Sequence, residues 1–368
     1  MKVTATDNLH IRELESANVN FEMFRRLHRL DDPQLSTGLA TLKGDYYFSR
    51  FSLDLIPVDS VEITDRFARI LREDASGCDS PELPAMSFDD PKTFANGRKL
   101  LERQLKSVCQ TDNRKMRLDL ERILLSGGKR LRPALAQAAY GLGNEKKYPV
   151  LPLMVMIELM HSASLIHDDV VDQGQIRRGV ATINHTSGDL DAVRSADFIL
   201  GRAMELLKVY RGSGIDERLA HVSEQMCIGE LKQMEYLNRD IDEETYFSLI
   251  TMKTALFIEA SAACGAIAGG CSEDVVRCME QYGLNIGIAF QIRDDILDYT
   301  GKERLGKETG QDARKGLKTL PVITGLDKAR KKVEEYSETA ICAIQGIKEG
   351  VSVKALTDMA RQLERREI

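Results

Sequence analysis

The chain has 368 residues, 43% hydrophobic and 29% charged, a balance that supports a large globular core. Its formal net charge of −6 argues against a general nucleic-acid binder, so basic residues are read as local groups. Seven cysteines (Cys78, Cys109, Cys227, Cys264, Cys271, Cys278 and Cys342) form an odd set without a C-x-x-C pair, so reduced thiols in a cytoplasmic setting are expected, not disulfides or a zinc site.

Residues 1–92 read as an N-terminal helical extension and linker. Amphipathic spacing predicts helices such as Phe21 to Leu30 and Val61 to Leu71, and the Asp-, Ser- and Pro-rich stretch from Glu73 to Pro91 reads as the linker. The first residues carry acids and no apolar h-region, so neither a secretory signal nor a transit peptide is expected. Over residues 93–368 the periodicity is helical and no strand pattern convinces, which predicts an all-α bundle.

Expected helices run from Phe94 to Cys109, Arg114 to Leu125, Arg132 to Leu142, Val150 to Asp172 and Asp189 to Val209. Others run from Ile215 to Leu237, Glu243 to Ala268, Glu273 to Tyr299, Lys328 to Gln345 and Val353 to Arg365. Gly127-Gly128, Gly212 to Gly214, Gly269-Gly270 and Gly301 mark breaks. No uninterrupted run of about 18 apolar residues occurs, so no membrane span is expected. The segment GDYYFSRFSLDL from Gly44 also parallels ADFILGRAMELL from Ala196, either by shared core spacing or as a degenerate copy.

Two apolar helices each carry the pattern D-D-x-x-D, as Asp168, Asp169, Asp172 and as Asp294, Asp295, Asp298. Positions i and i+4 share a helix face, so Asp168 pairs with Asp172 and Asp294 with Asp298. Carboxylates crowded in this way repel unless a cation lies between them, and an all-oxygen donor set suits a hard divalent ion, Mg²⁺ first. One such motif alone reads as a solvated acidic face; two within apolar sequence point to metal.

Basic groups supply the complement. SGGKRLRP from Ser126 lacks the strand and the Lys-Ser/Thr ending of a P-loop, yet it sets Lys129, Arg130 and Arg132 beside a Gly-Gly break at a helix start, a place for phosphate. Arg177 and Arg178 follow the first acidic motif and read either as ion pairs with nearby Asp or as a second anion contact. Lys253, Thr254, Gln291 and Lys307 are candidates to complete the site. His161 and His167 do not share a helix face and lack zinc-ligand spacing, so both read as hydrogen-bonded packing residues.

GGKRLRP, HSASLIHDDVVDQGQIRRG, GELKQ (Gly229 to Gln233), KTA (Lys253 to Ala255), FQIRDDILDYTG and LGKETGQDARKGLKTLP, in that order, resemble the trans-isoprenyl diphosphate synthases. The resemblance implies an isoprenoid synthase-type helical bundle around a central cavity, a homodimer or a heteromer, and peripheral membrane contact for product release. It implies Mg²⁺ held by Asp168, Asp172, Asp294 and Asp298. An allylic diphosphate would contact Arg177, Lys253, Thr254, Gln291 and Lys307, with Lys253 and Gln291 closest to the chemistry. Isopentenyl diphosphate would be held by Lys129, Arg132, His161 and Arg178.

One turn before Asp168 stand Ala163 and Ser164, small where family members stopping at fifteen carbons carry an aromatic. Met160, Ile157 and Met156 follow, and methionine adapts, so a product above twenty carbons is expected. The sequence departs from the family pattern at Ala181, at Leu317 and in a helix pair expected after Pro321. The GDYYFSR stretch resembles non-catalytic subunits of two-component heptaprenyl diphosphate synthases. The competing readings are therefore a partner subunit, which would have lost acids from a motif, and a terpene cyclase, which would lack GGKRLRP.

Overall fold

The computed structural model describes residues 91–300 and 316–365; the extension, its GDYYFSR segment and Lys307 lie outside the described residues. The helices are α1 (Pro91–Val108), α2 (Arg114–Leu124), α3 (Leu131–Tyr140), α4 (Val150–Val171), α5 (Ile183–Ser187), α6 (Asp189–Leu207) and α7 (Ile215–Glu235). They continue with α8 (Glu243–Ile250), α9 (Leu256–Gly269), α10 (Glu273–Tyr299), α11 (Leu320–Thr324), α12 (Leu326–Ile344) and α13 (Val351–Arg365). Local chemistry sets several starts. Asn113 caps α2 by accepting from Met116 N at 3.1 Å, and Asp242 caps α8 by accepting from Thr245 N at 2.8 Å.

Helices α4 and α9 are apolar nearly all round because they are surrounded. Every residue from Val150 to Met160 is buried, and α9 buries Phe257, Ile258, Ala262, Ala263 and Ala266 completely. Helix α4 packs on α6, α3 and α1; α9 packs on α10, α3 and α7; α12 covers the far side of α10. Helices α3 and α9 thus stand between α4 and α10, whose C-terminal ends carry the two acidic motifs. Tyr282 of α10, fully buried, donates to the Leu356 carbonyl of α13 at 2.6 Å and ties the last helix to this layer.

The structure corrects the sequence reading in two places. The helix expected from Glu243 to Ala268 is interrupted by a wide, π-type turn at Thr251–Ala255. A two-residue hairpin, β1 (Ile176–Arg177) with β2 (Val180–Ala181), stands where no strand was expected. Arg178 and Gly179 both have positive φ, 53° and 76°, as a tight two-residue hairpin turn demands. Helix α4 and the segment Glu243–Gly269 are long and apolar enough to cross a membrane by length and composition, although most of each is buried inside the fold. Their apolarity is that of core helices.

Candidate active site

The two acidic motifs divide their labour identically. Asp169, 4% exposed, turns inward and accepts from Arg177 Nε at 2.8 Å and from its Nη2 at 2.7 Å. Asp295, also 4% exposed, accepts from the Tyr246 hydroxyl at 2.7 Å and from Gln291 Nε2 at 2.8 Å. The middle acids are therefore internal anchors, whereas Asp168, Asp294 and Asp298 are half-buried and Asp172 is exposed.

A helix C-terminus is the negative end of the helix dipole, so the helix itself disfavours charge on these outer acids, and a bound cation would offset it. Among the described residues no group of three or more acidic, Cys or His side chains converges to form a complete metal site. A pair of carboxylates per helix fits an ion that takes its other oxygens from water and from substrate phosphate, as Mg²⁺ does.

The π-type turn connects the two motifs. Lys253 pairs with Glu230 of α7. Burial pushes the Lys253 ammonium down, but Glu230, Asp168 and Asp172 together outweigh it and hold the group above its ordinary value. Its neighbour Thr254 donates to Gln291 Oε1 at 2.9 Å, one turn before Asp295. One residue of the turn thus answers to the first acidic helix and the next to the second.

Glycines let the turn come close: a Cβ on Gly229 of α7 would lie 2.9 Å from Met252 Cβ and from Lys253 Cγ, and one on Gly287 of α10 would lie 2.5 Å from Ala255 Cα. π-Type insertions recur at functional positions because they re-aim side chains without ending the helix.

The hairpin sorts the two arginines. Arg177, on the strand, reaches Asp169; Arg178, in the turn, donates from Nη1 to the Gly127 carbonyl at 2.9 Å. Gly127 and Gly128 have φ of 84° and 123°, so only glycine fits this loop without strain. Arg132 stacks on the Phe257 ring with 5.3 Å to its centroid, and its Nη1 lies 3.3 Å from His161 Nε2. Arginine can only donate, so Nε2 is the accepting nitrogen of a neutral ring. Burial and then Arg132, Arg178, Arg177 and Arg130 hold His161 well below its ordinary value.

Burial lowers Arg132 to about 10, still cationic at neutral pH. Its Nε is buried without a hydrogen-bond partner among the described residues. A buried cation without an ion-paired carboxylate is costly and calls for an anion.

One candidate moves. Arg130 does not face the phosphate-type loop surface: it is 4% exposed and wholly engaged by Glu102, Glu158 and the Leu124 carbonyl. Lys129 next to it is exposed. Residue patterns did not assign Glu230, Tyr246, Glu102 or Glu158. The i−3 step from His161 to Glu158 was readable; the partners of the others are set by tertiary contacts.

A family model described as Polyprenyl synthetase matches residues 114–357. The octaprenyl diphosphate synthase of Escherichia coli is 37% identical over 222 residues, covering 60% of this chain and 68% of that protein. Component 2 of the heptaprenyl diphosphate synthase of Geobacillus stearothermophilus is 36% identical over 234 residues, 63% of this chain and 73% of the relative. A polyprenyl synthase crystal structure from Caulobacter crescentus, complexed with calcium and isoprenyl diphosphate, superposes with a TM-score of 0.70 at 28% identity, over 75% of this chain and 97% of that one.

Proposed function

The chain belongs to the polyprenyl synthetase family and is a condensing prenyltransferase, and we propose that it adds isopentenyl diphosphate to an allylic diphosphate primer. The observation that carries the reading is the Thr251–Ala255 turn, where Lys253 feels Asp168 and Asp172 while Thr254 bonds Gln291 beside the second motif. In this reading Asp168, Asp172, Asp294 and Asp298 hold Mg²⁺. When bound there, the metal supplies the positive charge that helps the allylic diphosphate leave.

The protein's own groups do the rest. Lys253 and Arg177 bind the allylic diphosphate and offset the charge that develops on it as the C–O bond breaks. Thr254 and Asp295 fix the amide of Gln291 so that its dipole is set before the substrate arrives. Lys307 joins this set by its place in the motif. Lys129, Arg132, His161 and Arg178 hold isopentenyl diphosphate with its double bond toward the allylic carbon, and apolar walls exclude water from the cation.

The small Ala163 and Ser164 leave room for a growing chain. Deeper, Met160 is nearly buried and Ile157 and Met156 are fully so; an extended product displaces the pliant methionines and exceeds twenty carbons. We read the enzyme as a cytoplasmic homodimer that touches the membrane to release product. A heteromer is the second reading, favoured by the relative named as component 2.

The test is incubation of the purified chain with Mg²⁺, isopentenyl diphosphate and farnesyl diphosphate, followed by product chromatography. Diphosphates longer than twenty carbons are expected. Hydrocarbon release would mean a cyclase, and no turnover without a second protein would mean a subunit.

A further inference from the structure

The best-connected charged residue in the basic half of the site does not reach any surface where a substrate could lie. Arg130 occupies a left-handed backbone position, φ 51°, at the start of α3. Its Nε donates to Glu102 Oε1 of α1 at 2.9 Å and its Nη2 to Glu102 Oε2 at 3.1 Å. Nη1 donates to Glu158 Oε1 of α4 at 2.5 Å, and Nη2 also reaches the Leu124 carbonyl at the end of α2 at 2.5 Å. The side chains of Arg130 and Glu158 are each 2% exposed.

Four helices therefore meet on one guanidinium. Lys129 precedes it and Arg132 is two residues on. Glu158, its partner, lies one turn before His161 on the helix that carries Asp168. The planar fork of arginine can make these four bonds at once, and a lysine cannot.

We propose that Arg130 is a positioning residue for isopentenyl diphosphate: the Glu102–Arg130–Glu158 tie fixes the loop 126–131 against α4 so that Lys129 and Arg132 meet the diphosphate in register with His161. The proposal rests on the reading of this loop as the isopentenyl diphosphate subsite. Losing the tie lets the loop shift relative to α4, which weakens binding of that substrate and leaves the allylic diphosphate, held by other elements, untouched. A buried ion pair by itself contributes little net stability, so replacing both partners by apolar groups of similar size keeps the fold.

Steady-state kinetics on the full chain tests this with Arg130→Lys and with the double variant Arg130→Met/Glu158→Leu, each checked by thermal melting. Wild-type turnover comes first: if there is none, the functional reading fails, not the positioning role. Given wild-type turnover, both variants are expected to raise KM for isopentenyl diphosphate at least about tenfold, with KM for farnesyl diphosphate within about twofold and kcat little changed. A double variant that melts like wild type and keeps the wild-type KM for isopentenyl diphosphate overturns the proposal. So does an equal rise in both KM values.

Discussion

Asp169 and Asp295 occupy the same place in their motifs, and both point inward to a donor set that saturates them, Arg177 in one case and Tyr246 with Gln291 in the other. Neutralising a middle acid should therefore cost stability, and neutralising an outer one should cost catalysis. Asp295→Ala and Tyr246→Phe each strand a buried group and are expected to lower stability by about 1–3 kcal/mol, read as a fall in Tm. Asp168→Asn and Asp294→Asn relieve repulsion, so Tm should hold or rise while turnover falls on the order of 10²-fold or more. Outer-acid variants that unfold while middle-acid variants stay stable would reverse the assignment. His167 gives a pH signature at the same scale. Burial pushes it down to about 4 from its ordinary value of 6.5. A base kept neutral in the fold stabilises fully above its unfolded pKa, so the contribution of His167 should be flat above pH 6.5 and decline as pH falls toward about 4. Its share is at most about 3 kcal/mol. Tm followed against pH checks this, and His167→Asn should flatten part of the slope.

At the scale of elements, the turn at Thr251–Ala255 is the part that sequence concealed. TMKTALF is as compatible with a plain helix as with a π-type insertion, because nothing in it is a breaker. Its position is decided by what packs on either side, Gly229 of α7 and Gly287 of α10. Gly287→Ala would set a methyl against Ala255 backbone at 2.5 Å, a contact that a flexible side chain cannot absorb. The expected outcome is displacement of Lys253 and Thr254, with kcat falling about 10²-fold, since misplacement of about 1 Å can cost that much. Wild-type kcat in a folded Gly287→Ala protein would show that the turn does not set the chemistry. The hairpin was hidden for a similar reason. Two-residue strands leave no alternation to detect, yet its turn is what sends Arg177 and Arg178 to different partners.

For the molecule as a whole, product length is the property that depends on every layer around α4. Ser164→Phe places an aromatic one turn before Asp168 and is expected to shift the products toward fifteen to twenty carbons, read by chromatography; an unchanged long product would remove Ser164 from the growing chain's path. The helical class, the order of the helices and the two acid pairs could be read from residue spacing alone. A period near 3.6 reports burial on one face, and i,i+4 carboxylates share a face wherever the helix lies. Which acids stay half-buried or exposed and which turn inward to Arg177 or Tyr246 could not be read that way. Nor could the withdrawal of Arg130 from a basic loop into the interior. Those outcomes depend on partners from 6 to 49 residues away in the chain, and only packing of the helices brings such groups within hydrogen-bond distance.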